Sequence, residues 1–185
     1  MFSFSEIVGH EEIKDHLTEA IKKKNPFHAY IFDGDIGVGK ETMAKTFAAG
    51  LQCQDEKGHE KPCKECIACR QIESGNAPDV IWVTHAGTDY SIAEIREQLI
   101  GTIDIRPYSS PYKIYIIPEA ERLNEATQNA LLKTLEEPPE YAVILLLTSN
   151  ISELLPTIQS RCLTMEFYPL STGTVEEFLR TQCGT

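Results

Sequence analysis

The sequence predicts an α/β fold in which a parallel five-stranded sheet is flanked by helices. Short apolar segments alternate along the chain with longer segments whose apolar residues repeat at helical spacing, as in βαβ units. The segment "YAVILLLTSN" is almost entirely apolar, which is typical of a central parallel strand covered on both faces. A length of 185 residues suits one main domain.

In the first half of the chain, two predicted strands alternate with helices. Residues 10–24 have apolar side chains at helical spacing and end before Asn25-Pro26, which predicts an amphipathic helix. The segment "HAYIFD" predicts a buried strand, and "ETMAKTFAAGLQC" predicts the next helix. The second strand is "DVIWVT", and Ser91 with Glu94 forms a capping-box pattern at the start of the helix "SIAEIREQLI".

The second half continues the same alternation. The segment "KIYIIP" predicts a third strand, and "EAERLNEATQNALLKTLEE" predicts one long helix that ends at Pro138-Pro139. The fourth strand is "YAVILLLTSN" and the fifth is "LTMEFYPL". The segment "TVEEFLR" then begins a last helix.

Charge and composition restrict the function. With 28 acidic and 17 basic residues the net charge is -11, which repels phosphate backbones and argues against strong nucleic-acid binding by this chain alone. No apolar run approaches the roughly 18 residues that cross a bilayer, so we expect no membrane association. The N-terminus "MFSFSEIVGH" lacks the features of a secretory signal, and we expect a cytoplasmic protein with reduced cysteines.

The segment "GDIGVGKET" matches a phosphate-binding loop at Gly34, Gly37, Gly39 and Lys40. Glycines in such a loop turn backbone N–H groups toward phosphates, and the lysine pairs with the terminal phosphates. The strand before the loop and the helix after it provide the context that this interpretation requires. The alternative is an ordinary glycine turn.

Two residues that would bind Mg²⁺ in a working ATPase are absent from the sequence. Glu41 stands where the loop normally carries serine or threonine, and Thr42 is one position out of register. Pro118 stands where an acidic metal ligand would end the third strand, which leaves Glu119 as a doubtful water-activating residue. Glu119 and Glu121 can equally be favourable charges at a helix N-terminus. We therefore expect no Mg²⁺ site, whereas binding of ATP or ADP stays open.

Four cysteines form a separate candidate metal site. Cys53, Cys63, Cys66 and Cys69 are spaced C-x₉-C-x₂-C-x₂-C. Four thiolates at such spacing suit tetrahedral Zn²⁺ without an open coordination position, so we expect structural zinc in a module over residues 53–69. An iron–sulfur cluster or a disulfide pair is the alternative.

Three segments resemble the AAA+ clamp-loader family of bacterial DNA polymerase III. They are "FSEIVGHEEI", "IIPEAERLNEATQNALLKTLEEPPE" and "LLLTSNISELLPTIQSRC", and with the loop they extend from the N-terminus to about Phe167. The resemblance implies a P-loop NTPase-like AAA+ domain over residues 1–170, with the zinc module inserted. It also implies that residues 171–185 begin a lid domain that is truncated here. The implied process is loading of the sliding clamp on primed DNA during replication.

Within this family, a sequence that lacks both the hydroxyl after Lys40 and the aspartate at position 118 resembles the delta-prime subunit rather than the ATP-hydrolysing gamma/tau subunit. For "SRC" the resemblance implies that Arg161 is an arginine finger that acts on ATP bound by a neighbouring subunit. It also implies that Ser149 senses the γ-phosphate. The alternatives are a surface or salt-bridged arginine and a plain strand-end cap.

The implied partners are the gamma/tau and delta subunits, and the clamp and primed DNA through the complex. Two other functions remain open on the sequence alone. One is a gamma/tau-type ATPase in which Glu41 or Thr42 and Glu119 manage the metal. The other is a zinc-dependent interaction module on an AAA+ scaffold.

Overall fold

The computed structural model describes residues 3–56, 58–170 and 173, and the strands within them form one parallel sheet in the order β2-β3-β4-β1-β5. The strands are β1 (Ala29–Asp33), β2 (Val80–Trp82), β3 (Lys113–Ile117), β4 (Ala142–Thr148) and β5 (Leu163–Glu166). The helices are α1 (Glu11–Lys23), α2 (Lys40–Gln52), α3 (Ile67–Glu73), α4 (Ile92–Ile95), α5 (Glu125–Glu136) and α6 (Pro156–Gln159). The predicted five-stranded parallel sheet is confirmed, whereas the helix predicted at "TVEEFLR" lies outside the described residues.

Helices cover both faces of the sheet because neighbouring residues of each strand point to opposite sides. Tyr30 and Phe32 of β1 pack with buried residues of α1 and α2. Ile31, between them, packs on the other face with residues of α4 and α5. This alternation divides the apolar interior into two cores, one on each side of the sheet.

Strand β4 lies in the middle of the sheet, between β3 and β1, and all seven of its residues are buried. A strand with both faces covered favours apolar side chains, which explains the continuous apolar sequence from Ala142 to Leu147 that precedes Thr148 at the strand end. The prediction of a central strand at this segment is confirmed.

The single long helix predicted from Glu119 is wrong in its first part. Glu119 has a left-handed backbone with φ of 48°, and a 3₁₀ turn follows at Ala120–Arg122. Helix α5 begins only after Asn124, whose side chain accepts a hydrogen bond from the Thr127 N–H at 3.0 Å. Asparagine is a strong N-cap, and here it competes successfully with the helical periodicity of the preceding residues.

Other local differences concern short elements. The sequence did not predict α3 or α6, each of which has at most seven residues. The capping box at Ser91 is confirmed, but α4 continues into a π-helical turn at Arg96–Ile100, where the Gly101 N–H donates to the Arg96 carbonyl at 2.7 Å. Among the residues that the structure describes, no helix is long and apolar enough to span a membrane.

Gly34 lies where β1 meets the segment that follows β5. A Cβ atom at this position would lie 2.4 Å from the Phe167 carbonyl oxygen and 2.8 Å from the Phe167 Cβ. The backbone is fixed on both sides, since the Gly34 N–H donates to the Thr148 carbonyl and the Phe167 N–H donates to the Asp33 carbonyl. A side chain at position 34 would therefore push against backbone that cannot move freely.

We expect Gly34→Ala to lower the free energy of unfolding by about 2 kcal/mol more than Gly37→Ala does, because of this overlap. Gly37 is the matched control, since it also has a positive φ of 87° but a Cβ atom added there would meet nothing within 4 Å. Urea denaturation of both variants measures the difference. Equal losses would contradict the steric role of Gly34.

Candidate functional site

The carboxyl ends of β1, β3 and β4 surround one cavity of about 450 Å³. Parallel neighbouring strands end at the same edge of the sheet, and this edge is the usual ligand site of open α/β sheets. The cavity is lined by Ile36, Gly37, Gly39, Lys40, Glu41, Thr42, Glu119, Glu121, Leu147, Thr148 and Ser149. The structure thus brings together Gly37, Gly39, Lys40 and Thr42 with Glu119 and Ser149, whereas the predicted loop residue Gly34 is not part of the lining. We call this space the loop cavity.

The glycine-rich loop between β1 and α2 forms one wall of the loop cavity. Gly37 and Gly39 have φ values of 87° and 94°, which L-residues with side chains rarely adopt. The Lys40 ammonium donates to the carbonyl oxygens of Gly34 and Asp35, the latter at 2.8 Å. Burial lowers the pKa of Lys40. The lysine is therefore held by its own loop, and Gly34 supports the loop from behind without lining the cavity.

Glu41 and Thr42 lie in the first turn of α2 and both line the loop cavity. Glu41 is exposed and Thr42 is half-buried. A carboxylate at a helix N-terminus is favoured by the helix dipole, but it repels a phosphate bound at the same place. Glu41 therefore makes this wall less attractive to a triphosphate than serine or threonine would.

Glu119 pairs with Arg122 and also contacts His85 at the loop cavity. Its carboxylate lies 3.2 Å from Arg122 Nε and 3.4 Å from His85 Nε2. The left-handed backbone at Glu119 starts the turn that separates β3 from α5. The side chain lines the cavity, but its carboxylate already contacts Arg122 and His85.

Glu121, another carboxylate of the loop cavity, accepts hydrogen bonds from Ser149. The Ser149 hydroxyl donates to Glu121 Oε1 at 2.5 Å, and the Ser149 N–H donates to Oε2 at 3.2 Å. Burial raises the pKa of Glu121, but hydrogen bonds from Ser149 and Thr148 outweigh this effect, so the pKa lies below its ordinary value. No sequence pattern indicated a partner for Glu121, since Ser149 is 28 residues away and comes close only through the β3–β4 pairing.

A second cavity of about 520 Å³ lies on the other side of the loop. It is lined by Glu6, Ile7, Val8, His10, Asp35, Ile36, Gly37, Val38, Gly39, Thr42, Pro169 and Leu170. The His10 ring Nε2 lies 3.1 Å from the Val38 carbonyl oxygen and ties the N-terminal segment to the loop. We call this space the N-terminal cavity. Sequence reasoning missed it because its walls come from three distant segments.

Arg161 lies outside the lining of both cavities. Its Nη2 donates to Glu136 Oε1 at 2.5 Å, and its Nη1 donates to the Thr157 carbonyl at 2.7 Å. About a third of the side chain, 32%, remains exposed. Within this chain Arg161 is therefore salt-bridged at the surface, which is the alternative that the sequence left open for it.

The four predicted cysteine ligands lie together at the end of α2 and the start of α3. The sulfur atoms of Cys53, Cys63, Cys66 and Cys69 all lie within 4.8 Å of one another. Cys53 caps the end of α2 and Cys66 caps the start of α3. This geometry could hold a metal ion.

The chemistry of the thiols also fits a metal. Backbone N–H groups point at two of the sulfurs, from Cys63 to Cys53 Sγ at 3.5 Å and from Cys66 to Cys63 Sγ at 3.4 Å. Burial raises the pKa of the Cys53 and Cys69 thiols. A bound cation would supply the positive charge that buried thiolates need.

Comparison with known proteins agrees with this architecture. The profile of the family described as "DNA polymerase III, delta subunit" matches residues 9–171. The chain belongs to this family. The family match covers both the phosphate-type loop and the cysteine cluster.

Curated relatives carry the names of other subunits of the same polymerase. The chain is 38% identical to the tau/gamma subunit of Haemophilus influenzae over 177 residues, which are 96% of this chain and 25% of the relative. It is 40% identical to the tau subunit of Bacillus subtilis, over 89% of this chain and 29% of the relative. The gamma subunit of Buchnera aphidicola is 35% identical, over 96% of this chain and 48% of the relative. The chain thus spans between a quarter and about half the length of these relatives.

Solved structures support the fold. A gamma subunit-related protein of DNA polymerase III from Thermotoga maritima superposes with a TM-score of 0.69 at 24% identity, covering 92% of this chain and 50% of that one. The RuvB Holliday junction branch migration motor of the same organism has a TM-score of 0.61 at 17% identity, covering 96% and 51%. The predicted AAA+ P-loop-like fold is thereby confirmed.

We expect this member of the family to bind about one thiophilic metal ion per chain. Cys63→Ser should remove most of that metal and lower the melting temperature by about 5 °C or more, because the cluster joins α2 to α3. Cys162→Ser is the matched control, since Cys162 lies outside the cluster. Elemental analysis and thermal melts check both variants. If the wild-type protein contains no metal and its melting curve is the same as that of Cys63→Ser, the metal site is ruled out.

Proposed function

We propose that this chain is the AAA+ domain of a DNA polymerase III clamp-loader subunit that does not hydrolyse ATP alone and supplies Arg161 to a neighbouring subunit. The observation that carries the proposal is the composition of the loop cavity. It combines a phosphate-type loop with Glu41 at the hydroxyl position. Pro118, which directly follows β3, precedes the lining residue Glu119. The proposal assigns residues 1–170 to this domain.

The electrostatics of the loop cavity support the absence of turnover. Its lining contains three carboxylates, those of Glu41, Glu119 and Glu121, and the single ammonium of Lys40. Hydrolysis of a triphosphate needs cations that neutralise the charge developing on the transferred phosphoryl group. This cavity presents excess negative charge, and Glu41 and Pro118 replace the hydroxyl and the aspartate that bind Mg²⁺ in a working ATPase. Gly37, Gly39 and Lys40 still leave a place where phosphate of ATP or ADP can bind.

The chemistry of Arg161 supports a role in trans. A guanidinium keeps its charge at all physiological pH values and binds phosphate oxygens in a bidentate way. Its bond to Glu136 is partly exposed, with the two side chains 32% and 49% accessible. Exposed ion pairs contribute about 0–1 kcal/mol, so a phosphate group of a neighbouring subunit can replace Glu136 at little cost.

Ser149 is bound to Glu121. In this proposal it positions that carboxylate rather than sensing a γ-phosphate.

The cysteine cluster is assigned to structural Zn²⁺ in this proposal. Four cysteine sulfurs without another ligand are typical of closed structural zinc sites, which leave no coordination position for a substrate. The module would then stabilise the domain, or present a surface to the other subunits of the complex. We propose the gamma/tau and delta subunits as those partners, with the clamp and primed DNA reached through the complex.

A second candidate function is a gamma/tau-type clamp-loader ATPase. The curated relatives from the three bacteria are named tau or gamma, at 35% to 40% identity, and these names fit this candidate better than the delta-prime type. In that case Thr42 or Glu41 would hold the metal and Glu119 would activate the attacking water. A zinc-dependent interaction module on an AAA+ scaffold is a third function, and no contact among the described residues favours it.

Steady-state ATP hydrolysis separates the first two candidates. We expect the purified chain, with or without primed DNA, to release no more phosphate than its Lys40→Ala variant, because Glu41 and Pro118 stand where the metal-binding hydroxyl and aspartate of a working ATPase would be. Hydrolysis that Lys40→Ala abolishes would establish the ATPase candidate instead. Binding of ADP is measured in parallel, because nucleotide binding without turnover agrees with the proposal.

The finger role is tested in a complex reconstituted from the full-length protein and gamma-type subunits. We expect Arg161→Ala to slow turnover at the facing ATP site by about 10³-fold, so that the ATPase of the complex and clamp loading both fall. Arg70→Ala is the control, since Arg70 is another exposed arginine of the domain. Unchanged ATPase and clamp loading in Arg161→Ala would refute the finger role.

A further inference from the structure

Two pairs of residues bind the N-terminal turn of the chain to the cysteine module. The Ser5 N–H and hydroxyl donate to the two carboxylate oxygens of Glu60 at 3.0 and 2.9 Å. Lys64 Nζ lies 2.5 Å from Glu6 Oε2. We call these four residues the N-terminal clasp. They join segments that are 55 and 58 residues apart in sequence.

The clasp holds one wall of the N-terminal cavity. Glu6 lines this cavity together with Ile7 and Val8, which follow it directly. Phe4 anchors the other end of the turn in the core, with 4% of its surface exposed. The turn has few backbone bonds of its own, chiefly the Glu6 N–H to the Ser3 carbonyl at 3.1 Å and the Ile7 N–H to the Phe4 carbonyl at 3.3 Å. Contacts from outside therefore contribute a large part of its order.

Both clasp partners in the cysteine module lie close to a predicted metal ligand. Glu60 precedes Cys63 by three residues and Lys64 follows it directly. Lys64 has a left-handed backbone with φ of 64°, which is unfavourable for a residue with a side chain. The turn is held by the sulfur of Cys63, which accepts the Cys66 N–H. A metal bound by Cys63 and Cys66 would keep Lys64 in this conformation, and loss of the metal would let it relax.

We propose that metal binding by the cysteine cluster fixes the N-terminal wall of the N-terminal cavity through the clasp. The module then affects the cavity beside the phosphate-type loop from a distance, in addition to stabilising its own segment. This inference rests on the proposed metal binding, and it is independent of whether the chain hydrolyses ATP.

Amide hydrogen exchange of Glu6 and Ile7, resolved residue by residue, tests the inference. Both amides donate within the turn and neither contacts a clasp side chain, so their exchange reports the order of the turn itself. Removing the metal from the wild type with a chelator should speed their exchange roughly fivefold. The buried Ile144 amide, which donates to the His28 carbonyl within the sheet, monitors global unfolding and should change much less.

Variants with the metal still bound separate the clasp from the metal. Lys64→Ala and Glu60→Ala should each speed exchange at Glu6 and Ile7, and chelation should then add little. Lys23→Ala is the matched control, because it breaks an equally short exposed ion pair, Lys23–Glu19 at 2.5 Å, away from the clasp. It should leave both amides and their response to chelation unchanged.

Three results would overturn the inference, and they are distinguishable. If metal analysis finds the metal and chelation leaves the Glu6 and Ile7 amides unchanged in the wild type, the coupling is wrong while the metal site stands. If the chain contains no metal, the proposed metal binding fails, and the coupling fails with it. Slow exchange at both amides in metal-bound Lys64→Ala and Glu60→Ala would also refute the clasp.

Discussion

The candidate site depends on the parallel pairing of β1 with β4 and of β3 with β4. Because the strands run in the same direction, their carboxyl ends meet at one edge, and the chain segments that follow them must share that space. The loop after β1, the turn after β3 and Ser149 after β4 therefore line one cavity. The close approach of Gly34 to Phe167 shows how little room the backbone has at this edge. Changes in strand register would separate all of these groups at once.

Three charged groups that matter to the candidate site have partners within the chain. Lys40 is bound by carbonyl oxygens of its own loop, Glu121 by Ser149, and Arg161 by Glu136. The cost of replacing these partners differs. The Arg161–Glu136 pair is partly exposed and thus weak, whereas Glu121 is held by two hydrogen bonds from one residue in a less exposed position.

The cysteine cluster lies at the end of the helix that begins with Lys40, and it contacts the N-terminal turn through the clasp. Helix α2 therefore links the phosphate-type loop to the cysteine module, and the clasp links the module to the N-terminal turn. The chain has fewer basic than acidic residues, and Lys64 is one of the basic residues that form an ion pair, with Glu6.

The sequence alone determined the sheet, the helices with clear apolar periodicity and the four cysteines that form the cluster. Each of these signals lies within one short segment, because strand alternation, capping and C-x₂-C spacing are local properties. One prediction from local sequence was wrong, because Asn124 caps α5 and the helix begins at Glu125, later than the apolar periodicity indicated. Only the tertiary structure decided that Glu121 meets Ser149, that Arg161 meets Glu136, and that an N-terminal cavity exists. Those contacts join residues 25 or more positions apart, and their positions follow from chain packing rather than from any pattern in the neighbouring residues.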